Sequence, residues 1–457
     1  MEVFYSLQTM KNRSILNRLS YTHIVVIGFL LLIVIGTVLL KLPIASKGAP
    51  LSFTDTFFTA TSATCVTGLV QADTATQWTL FGQIVILVLI QVGGLGFMTV
   101  ITLFSFMLGR RIGLHSRELL MESVNVSSLG GVVALIKKVI IGTAVVEGAG
   151  AVALSIRFVP MFGAAKGIYY GIFHSISAFC NAGFDLMGET EAYSSFVYLA
   201  QDKTIMLTLT ILIVVSGIGF LVWDDVTRNG LHFSAYTLHS KIAITTTLVL
   251  IIGGTLLFLV SENGNTLAGL SPGNKVVVSL FSAVTPRTAG FNCVDTAAMT
   301  PASTMMTVVF MIIGGSPGST AGGIKTTTIA VMAIVALASF KKSQGYNTYG
   351  RRLEESVIQR AVTVVAVYAL LFICAVMVIG IADAFLPLKD VVFEVASACS
   401  TVGMTTGITR SLSDISRWVV ILCMFLGRVG SVTFFMALTA KKNTAKVTLP
   451  KEDINIG

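Results

Sequence analysis

Eight apolar runs, each long enough to cross a lipid bilayer as a helix, divide this chain of 457 residues. A spanning helix needs roughly 20 apolar residues, and the runs reach that length at 23–43, 79–109, 133–157, 203–223, 241–261, 303–340, 360–383 and 416–439. The charged fraction of 12% is far below that of soluble domains. The chain is therefore expected to be an all-α integral membrane protein. The first run is interpreted as a retained span, because it is too long for a secretory signal and no small-residue cleavage site follows it.

A short motif centred on one glycine recurs four times at nearly even spacing. Its glycines are Gly68, Gly183, Gly290 and Gly403, which are separated by 115, 107 and 113 residues. This period is too regular for chance and too long for a solenoid unit. Each copy follows an apolar run and a short amphipathic segment, and a second apolar run comes after it. Two spans per unit give all four units the same orientation, unlike the inverted repeats of many transporters, so they can close around one pore.

The short segments before the glycines, such as 54–64 and 388–400, are too short to cross a bilayer. They are expected to be re-entrant helices. The glycine turns are expected to line water, because irregular backbone inside a bilayer must be buried in protein or face a water-filled cavity. A simpler alternative is that the glycines only permit close helix packing. Small residues also recur in the second spans, at 91–96, 216–219, 314–318 and 427–430, where they allow close packing or bending.

The third unit carries a glycine-rich interruption at 312–326 that cannot continue as one helix through Pro317 and five glycines. We expect a flexible loop that plugs the pore below the turns. Nucleotide binding is not expected there, because Ile324 separates Gly323 from Lys325 and no strand precedes the loop, in contrast to a phosphate-binding G-x-x-x-x-G-K-[ST] motif. Arg428 lies inside the last span, where it is expected either to repel cations or to hold the loop through its carbonyls. For Arg428, and likewise for Lys325, the alternative is that the side chain snorkels to the membrane interface.

Other polar residues in apolar segments have simpler interpretations. Asp55 begins a re-entrant segment and is expected to stabilise the helix N-terminus rather than to bind a cation. His174 lacks a metal-binding partner and is expected to be structural, while Glu394 lies in another re-entrant segment and the role of Glu147 is left open. The six cysteines form no C-x-x-C pair and have no histidine cluster, so they predict neither a disulfide framework nor a metal site.

Most basic residues fall in alternate connecting segments, for example Arg110, Arg111, Lys341 and Lys441. The positive-inside rule therefore places both termini in the cytoplasm. Acidic residues outnumber basic ones on the opposite side. A negative outer mouth would concentrate cations there.

Several motifs together resemble the Trk/Ktr/HKT superfamily of cation transporters, and the resemblance covers essentially the whole chain. They are TCVTGL around Gly68, AGF around Gly183, TPRTAGFN around Gly290, TVG ending at Gly403, and the pair Gly427 and Arg428. Within the superfamily the chain most resembles the KtrB-type membrane subunits of bacterial Ktr potassium uptake systems. The resemblance implies four parallel M1-P-M2 repeats, with eight spanning helices and four re-entrant pore helices around one central pore, in the cell (plasma) membrane of a bacterium.

The chain divides accordingly into a cytoplasmic N-terminus at 1–22, repeat 1 at 23–110, repeat 2 at 111–228, repeat 3 at 229–342, repeat 4 at 343–440 and a cytoplasmic C-terminus at 441–457.

The resemblance implies that backbone carbonyls of the four turns replace the hydration shell of K⁺. Independently, a ring of oxygens without fixed charge suits a weakly hydrated cation that must leave again. Within the superfamily, serine in place of the first filter glycine is associated with sodium preference, so Gly68 favours potassium. The expected filter residues are Thr64, Cys65, Val66, Thr67, Gly68, Cys180, Asn181, Ala182, Gly183, Arg287, Thr288, Ala289, Gly290, Ser400, Thr401, Val402 and Gly403.

The resemblance also implies that the loop of the third repeat and Arg428 gate the pore. The expected gate residues are Gly314, Gly315, Ser316, Pro317, Gly318, Ser319, Thr320, Ala321, Gly322, Gly323, Lys325 and Arg428.

The resemblance further implies a homodimer in the lipid bilayer that is opened by a cytosolic, KtrA-like ring of nucleotide-binding regulatory subunits. This chain has no Rossmann fingerprint, so any response to nucleotide must come from such a partner. No cofactor and no nucleic acid are expected. The transported ion is expected to be K⁺, with Na⁺ considered as an activator or co-ion.

Potassium uptake is therefore the expected function, and a sodium-coupled or sodium-preferring transporter on the same fold is the alternative. An intramembrane enzyme is not expected, because no span carries a paired nucleophile and base or an H-E-x-x-H metal motif.

Overall fold

The computed structural model of the chain describes residues 21–96, 99, 132–341 and 345–430. The C-terminus at 441–457, nearly all of the N-terminus at 1–22, and the ends of the runs 79–109 and 416–439 lie outside the described residues.

Helices make up most of the described residues, as the composition predicts. In chain order they are α1 Tyr21–Lys41, α2 Phe53–Thr64, α3 Thr74–Gln77, α4 Leu80–Leu95, α5 Val132–Phe162, α6 Ala164–Phe179, α7 Lys203–Gly217, α8 Phe220–Asn229, α9 Leu238–Glu262, α10 Pro272–Val284, α11 Pro301–Ile312, α12 Thr326–Phe340, α13 Glu355–Ala382, α14 Leu388–Ser400 and α15 Asp414–Val429. Short 3₁₀ turns lie at Pro43–Ala45, Met187–Glu189, Val197–Leu199, Phe233–Ala235 and Ile408–Ser411. A small antiparallel hairpin pairs β1 Asn347–Thr348 with β2 Arg351–Arg352.

Long apolar helices alternate with short ones. In the described part of the chain, α1, α5, α9 and α13 are each long and apolar enough to cross a membrane alone. Each is followed by a short helix, α2, α6, α10 or α14, that ends just before one of the four glycine turns. The short helices pack against the long helix that precedes them.

Helices that follow the glycine turns are shorter than the apolar runs that contain them. The run 203–223 forms two helices, α7 and α8, bent by 92° at a break that contains Gly219 with φ of +101°. α4 and α15 end in the same way, before Gly96 at φ +85° and Gly430 at φ +92°. Glycine adopts this left-handed backbone at little cost, which explains why the apolar run does not continue as one straight helix.

Glycines in these helices also permit close packing. A Cβ at Gly93 of α4 would lie 1.9 Å from the Thr64 carbonyl oxygen, and one at Gly427 of α15 would lie 2.2 Å from the Cys399 carbonyl oxygen. The backbones of α4 and α15 therefore contact the C-terminal ends of α2 and α14 directly.

The packing between units is cyclic. The helix after each glycine turn packs against the short helix of the next unit: α4 on α6, α7 on α10, α11 on α14, and α15 on α2. Four phenylalanines, Phe58, Phe173, Phe281 and Phe393, lie nine or ten residues before the glycines and are all fully buried. Each anchors its short helix in the apolar interior.

Local contacts support two of the simpler interpretations. Ser52 caps α2 through a bond from the Asp55 N–H at 3.1 Å, and Asp55 also forms an ion pair with Arg417 at 3.2 Å. His174 is fully buried, with Nδ1 2.7 Å from the Tyr170 carbonyl oxygen and Nε2 accepting from the Leu186 N–H at 3.0 Å. Ser52 is thus the cap of α2, while Asp55 lies in the first turn, where its charge favours the helix N-terminus. His174 bonds only to backbone groups, which fits the structural role expected for it.

Candidate functional site

The four glycine turns meet in a closed ring. A Cβ at Gly68 would lie 2.5 Å from the Ala182 carbonyl oxygen, and one at Gly183 would lie 2.9 Å from that of Ala289. In the same way, a Cβ at Gly290 would lie 2.1 Å from the Val402 carbonyl oxygen, and one at Gly403 would lie 2.1 Å from that of Thr67. Each glycine therefore lies against the turn of the next unit, and the fourth turn closes on the first. No side chain larger than hydrogen fits at these four positions without moving the adjoining backbone.

Backbone conformation repeats around the ring. The four glycines have φ values of +94°, +69°, +79° and +98° in chain order. Two residues before each glycine, Val66, Asn181, Thr288 and Thr401 also have positive φ, between +54° and +79°. Such a conformation costs about 1–3 kcal/mol for a residue with a Cβ, and it persists only where the surroundings fix it. The strain thus recurs at equivalent positions of all four units.

Hydroxyl groups at the ends of the short helices hold the turns in place. Ser62 Oγ accepts the Gly68 N–H at 3.1 Å, and Ser397 Oγ accepts the Gly403 N–H at 2.9 Å. In the other two units a hydroxyl donates to the carbonyl after the glycine, from Ser177 to Phe184 at 2.6 Å and from Thr285 to Phe291 at 2.7 Å. These bonds pair backbone groups of the turns, which lie beyond the helix ends and therefore have no partner within a helix.

All the expected ring residues are buried, but their side chains face different surroundings. Arg287 points away from the turn, with Nη2 3.3 Å from Thr247 Oγ1 on α9, so that only its backbone belongs to the ring. Cys180 approaches Gln91 Oε1 at 3.5 Å, and Gln91 Nε2 donates to both carboxyl oxygens of Glu147 at 3.1 and 3.2 Å. Glu147 is thus linked to the second turn through Gln91.

A cavity of about 370 Å³ opens on one side of the ring. The four glycines form its floor, and its walls include the acidic residues Asp73, Asp185, Glu191 and Asp295. Burial raises the pKa of Asp185 to about 6, and the nearby Asp73 adds to the rise. One basic residue, Arg410, also lines the cavity, with Cζ 3.9 Å above the centre of the Tyr193 ring. The cavity is therefore predominantly negative.

On the other side of the ring, the interruption between α11 and α12 forms the loop expected from the sequence. Gly314 N–H donates to the Ile324 carbonyl at 2.9 Å, and Ile324 N–H donates to the Ile312 carbonyl at 3.2 Å, so the neck of the loop is closed. A Cβ at Gly322 would lie 2.1 Å from Thr401 Oγ1, which places the loop directly against the fourth turn.

Both expected cations bind this loop rather than snorkel away from it. Arg428 donates to the carbonyls of Thr320, Gly93 and Gly94, the last at 2.8 Å. Lys325 Nζ donates to the Ala321 carbonyl at 2.6 Å. Arg428 is therefore bonded to a carbonyl of the loop, and its role in gating stays a prediction.

The loop is also bonded to the break between α7 and α8. Ser316 N–H donates to the Gly217 carbonyl at 2.9 Å, and Phe220 N–H donates to the Gly318 carbonyl at 2.8 Å. The sequence predicts the loop and singles out Arg428 and Lys325. It does not predict the contact between the loop and the break after α7, because the two lie far apart in the chain.

The sequence analysis singled out none of the charged residues that line the cavity, namely Asp73, Asp185, Glu191, Asp295 and Arg410. Asp185 lies two residues after Gly183, which could have indicated it, whereas Arg410 lies in a connecting segment without a pattern.

Comparisons with known proteins agree on one family. The family profile TrkH, described as cation transport protein, matches residues 6–447. The potassium/sodium uptake protein NtpJ of Enterococcus hirae is 39% identical over 98% of this chain and 100% of its own length. The Ktr system potassium uptake protein B of Bacillus subtilis is 39% identical over 96% of this chain and 97% of its own.

A crystal structure of the potassium transporter TrkH from Vibrio parahaemolyticus matches with a TM-score of 0.70 at 20% identity, and the match covers 90% of this chain and 84% of that chain. At this identity the match shows a common fold, and the helical membrane architecture is confirmed to that extent.

Proposed function

The chain belongs to the TrkH family of cation transport proteins, and we propose that it is the translocating subunit of a Ktr-type system that takes up potassium ions across the cell membrane. The family consists of transporters, so the chain is not an enzyme. Proteins similar over their whole length are named as a potassium/sodium uptake protein and as a Ktr system potassium uptake protein. The membrane potential would supply about 2.3 kcal/mol per charge per 100 mV.

The closed ring of four glycine turns carries this proposal. The ring brings together peptide carbonyls, which carry no fixed charge, and rings of such carbonyls replace the water around K⁺ while still letting the ion leave. The residues proposed for the filter are the four turns themselves, from Thr64 to Gly68 and the equivalent residues of the other three units. The acidic cavity next to the ring would raise the local cation concentration.

We propose the topology that the sequence suggests. Four parallel units, at 23–110, 111–228, 229–342 and 343–440, would contribute eight spans and four re-entrant helices, with both termini in the cytoplasm. The cyclic packing of α4, α7, α11 and α15 on the next short helix supports this arrangement. The acidic cavity would then face outward.

The loop at 314–323 is proposed as the gate. It lies against the ring on the side away from the acidic cavity, and Arg428 and Lys325 donate to its carbonyls. Each hydrogen bond to a charged group is worth about 1.5–3 kcal/mol. Release of these contacts would let the loop withdraw and open the path.

We propose that the working assembly is a homodimer regulated by a cytosolic, KtrA-like nucleotide-binding ring. The similarity to a protein of a Ktr system supports it, because the word system implies more than one component.

The test is ion uptake by purified protein in liposomes, measured with Rb⁺ or K⁺ against Na⁺. Wild-type protein should take up K⁺ selectively. In Gly68→Ser the added Cβ must displace the Ala182 carbonyl from the ring, so the preference for K⁺ should fall in favour of Na⁺. If neither protein gives flux, addition of the regulatory ring distinguishes a closed pore from a wrong function, since only a closed pore would then conduct.

A sodium-coupled or sodium-preferring transporter is the second candidate. The name of the Enterococcus hirae relative, which includes both ions, favours it. Potassium uptake that requires Na⁺ on the same side of the membrane would support this candidate, whereas uptake that is independent of Na⁺ would exclude coupling.

A further inference from the structure

The hydroxyl of Thr320 joins the loop to the second turn of the ring. Thr320 Oγ1 accepts a hydrogen bond from Asn181 Nδ2 at 3.1 Å and donates to the Phe179 carbonyl at 3.1 Å. Asn181 and Thr320 are 0% and 1% exposed, so water does not replace these partners. The carbonyl oxygen of Thr320 also accepts a hydrogen bond from Arg428. One loop residue therefore contacts both the ring and the cation that holds the loop.

Asn181 is one of the four residues with strained backbone in the ring, at φ +57°. Its side-chain oxygen lies 3.5 Å from Ser216 Oγ, at the limit of a hydrogen bond, whereas the amide donates to Thr320 at 3.1 Å. The equivalent residue of the fourth unit, Thr401, touches the loop at Gly322 by packing, but its hydroxyl has no hydrogen-bond partner among the described residues. The loop thus reaches two turns of the ring and forms this side-chain bond with the second.

We propose that Asn181 and Thr320 couple the loop to the ring, so that the position of the loop sets the shape of the second turn and hence the binding of K⁺. This inference rests on the proposed function of the ring as a filter and the loop as a gate. A side chain that is held at both ends keeps the adjoining carbonyls in one arrangement, and a loop that withdraws would release them. Coupling of this kind is reciprocal, so K⁺ in the ring would in turn alter the stability of the closed loop.

The test compares Thr320→Val, Asn181→Ala and the double variant with wild type and with Thr320→Ser, in the full chain with its regulatory partner. Thr320→Val removes the hydroxyl and keeps the shape, while Thr320→Ser keeps the hydroxyl. Half-saturating K⁺ concentration, maximal rate and preference for K⁺ over Na⁺ are measured for each. Thermal unfolding checks that each variant is folded, and Asn181→Ala provides the measurement if Thr320→Val does not fold.

Each single variant should raise the half-saturating K⁺ concentration about fivefold, the factor that corresponds to one net hydrogen bond, and should lower the preference for K⁺. Thr320→Ser should resemble wild type. The double variant should show no more than the larger single effect, because both substitutions remove the same interaction.

A Thr320→Val protein that changes only the maximal rate would overturn the coupling, since the residue would then act on the gate alone. Additive effects in the double variant would overturn it as well. In both cases wild-type protein still takes up K⁺ and the proposed function stands. Absence of K⁺ uptake by wild-type protein with its partner would instead overturn the proposed function and the coupling together.

Discussion

Arg428 donates through Nη2 to the Gly94 carbonyl oxygen at 2.8 Å, and the same nitrogen also donates to the Gly93 carbonyl. Its other terminal nitrogen donates to Thr320 in the loop. The guanidinium therefore connects the fourth unit, the first unit and the loop of the third. A planar group with several fixed donors suits this task better than an ammonium group does.

Arg428→Ala is expected to increase K⁺ uptake, because the loop loses the donor that holds its Thr320 carbonyl. One bond to a charged group is worth about 1.5–3 kcal/mol, so the increase should be roughly tenfold or more where the gate limits the rate. Uptake by liposomes without the regulatory partner measures it. Arg428→Lys keeps the charge but loses the planar set of donors, so its K⁺ uptake should lie between that of wild type and that of Arg428→Ala. Reduced uptake by a folded Arg428→Ala protein would contradict the gate.

Gly403→Ala is expected to abolish K⁺ uptake. The added Cβ would lie 2.1 Å from the Thr67 carbonyl oxygen, and the φ of +98° is unfavourable for alanine. Gly253→Ala is the matched control, because a Cβ at that position in α9 meets nothing within 4 Å. Equal losses in both proteins would show that the effect is not specific to the ring, so expression and thermal unfolding are compared alongside uptake.

Uptake should depend on outer pH through Asp185, whose pKa is raised by burial to about 6. Above this pH the carboxyl is charged and attracts cations to the cavity, and below it the charge is lost. Potassium uptake should therefore fall as the outer pH drops from 7 to 5. The charged groups that share the cavity are Asp73, Glu191, Asp295 and Arg410.

Asp185→Asn isolates this carboxyl from its neighbours. The variant should show uptake near the acidic level of wild type and little change between pH 7 and 5. A variant that keeps the wild-type midpoint would assign the pH dependence to another group.

Arg410→Gln is expected to lower the half-saturating K⁺ concentration roughly twofold, the effect of removing one positive charge about 10 Å away in water. The maximal rate should not change, because Arg410 lies against Tyr193 in the wall of the cavity and not in the ring. Arg157→Gln removes an equal charge from an ion pair with Asp202 outside the cavity and is the control. An equal effect of both substitutions would indicate general surface charge, and the effect of Arg410→Gln should decrease with added salt.

Much of the site follows from the sequence because glycine and proline constrain the backbone locally. The four turns, the loop around Pro317 and the importance of Arg428 were all predicted from residue types and spacing. In contrast, the bend of 92° in the run 203–223 was not assigned there, because glycine in a membrane helix serves close packing as readily as bending. Glu147 stayed without a role until the structure placed it beside Gln91.

The sequence by itself indicated a membrane protein, a glycine motif that recurs four times, and a helix interruption around Pro317. Hydrophobic length and backbone freedom are properties of short segments, so they can be recognised without knowing what lies nearby. Only the tertiary structure decided that Gly403 closes on Thr67, that Asn181 bonds Thr320, and that Arg428 holds Gly93 and Gly94. Those pairings depend on the cyclic packing of whole helices, which brings together groups that no local pattern relates.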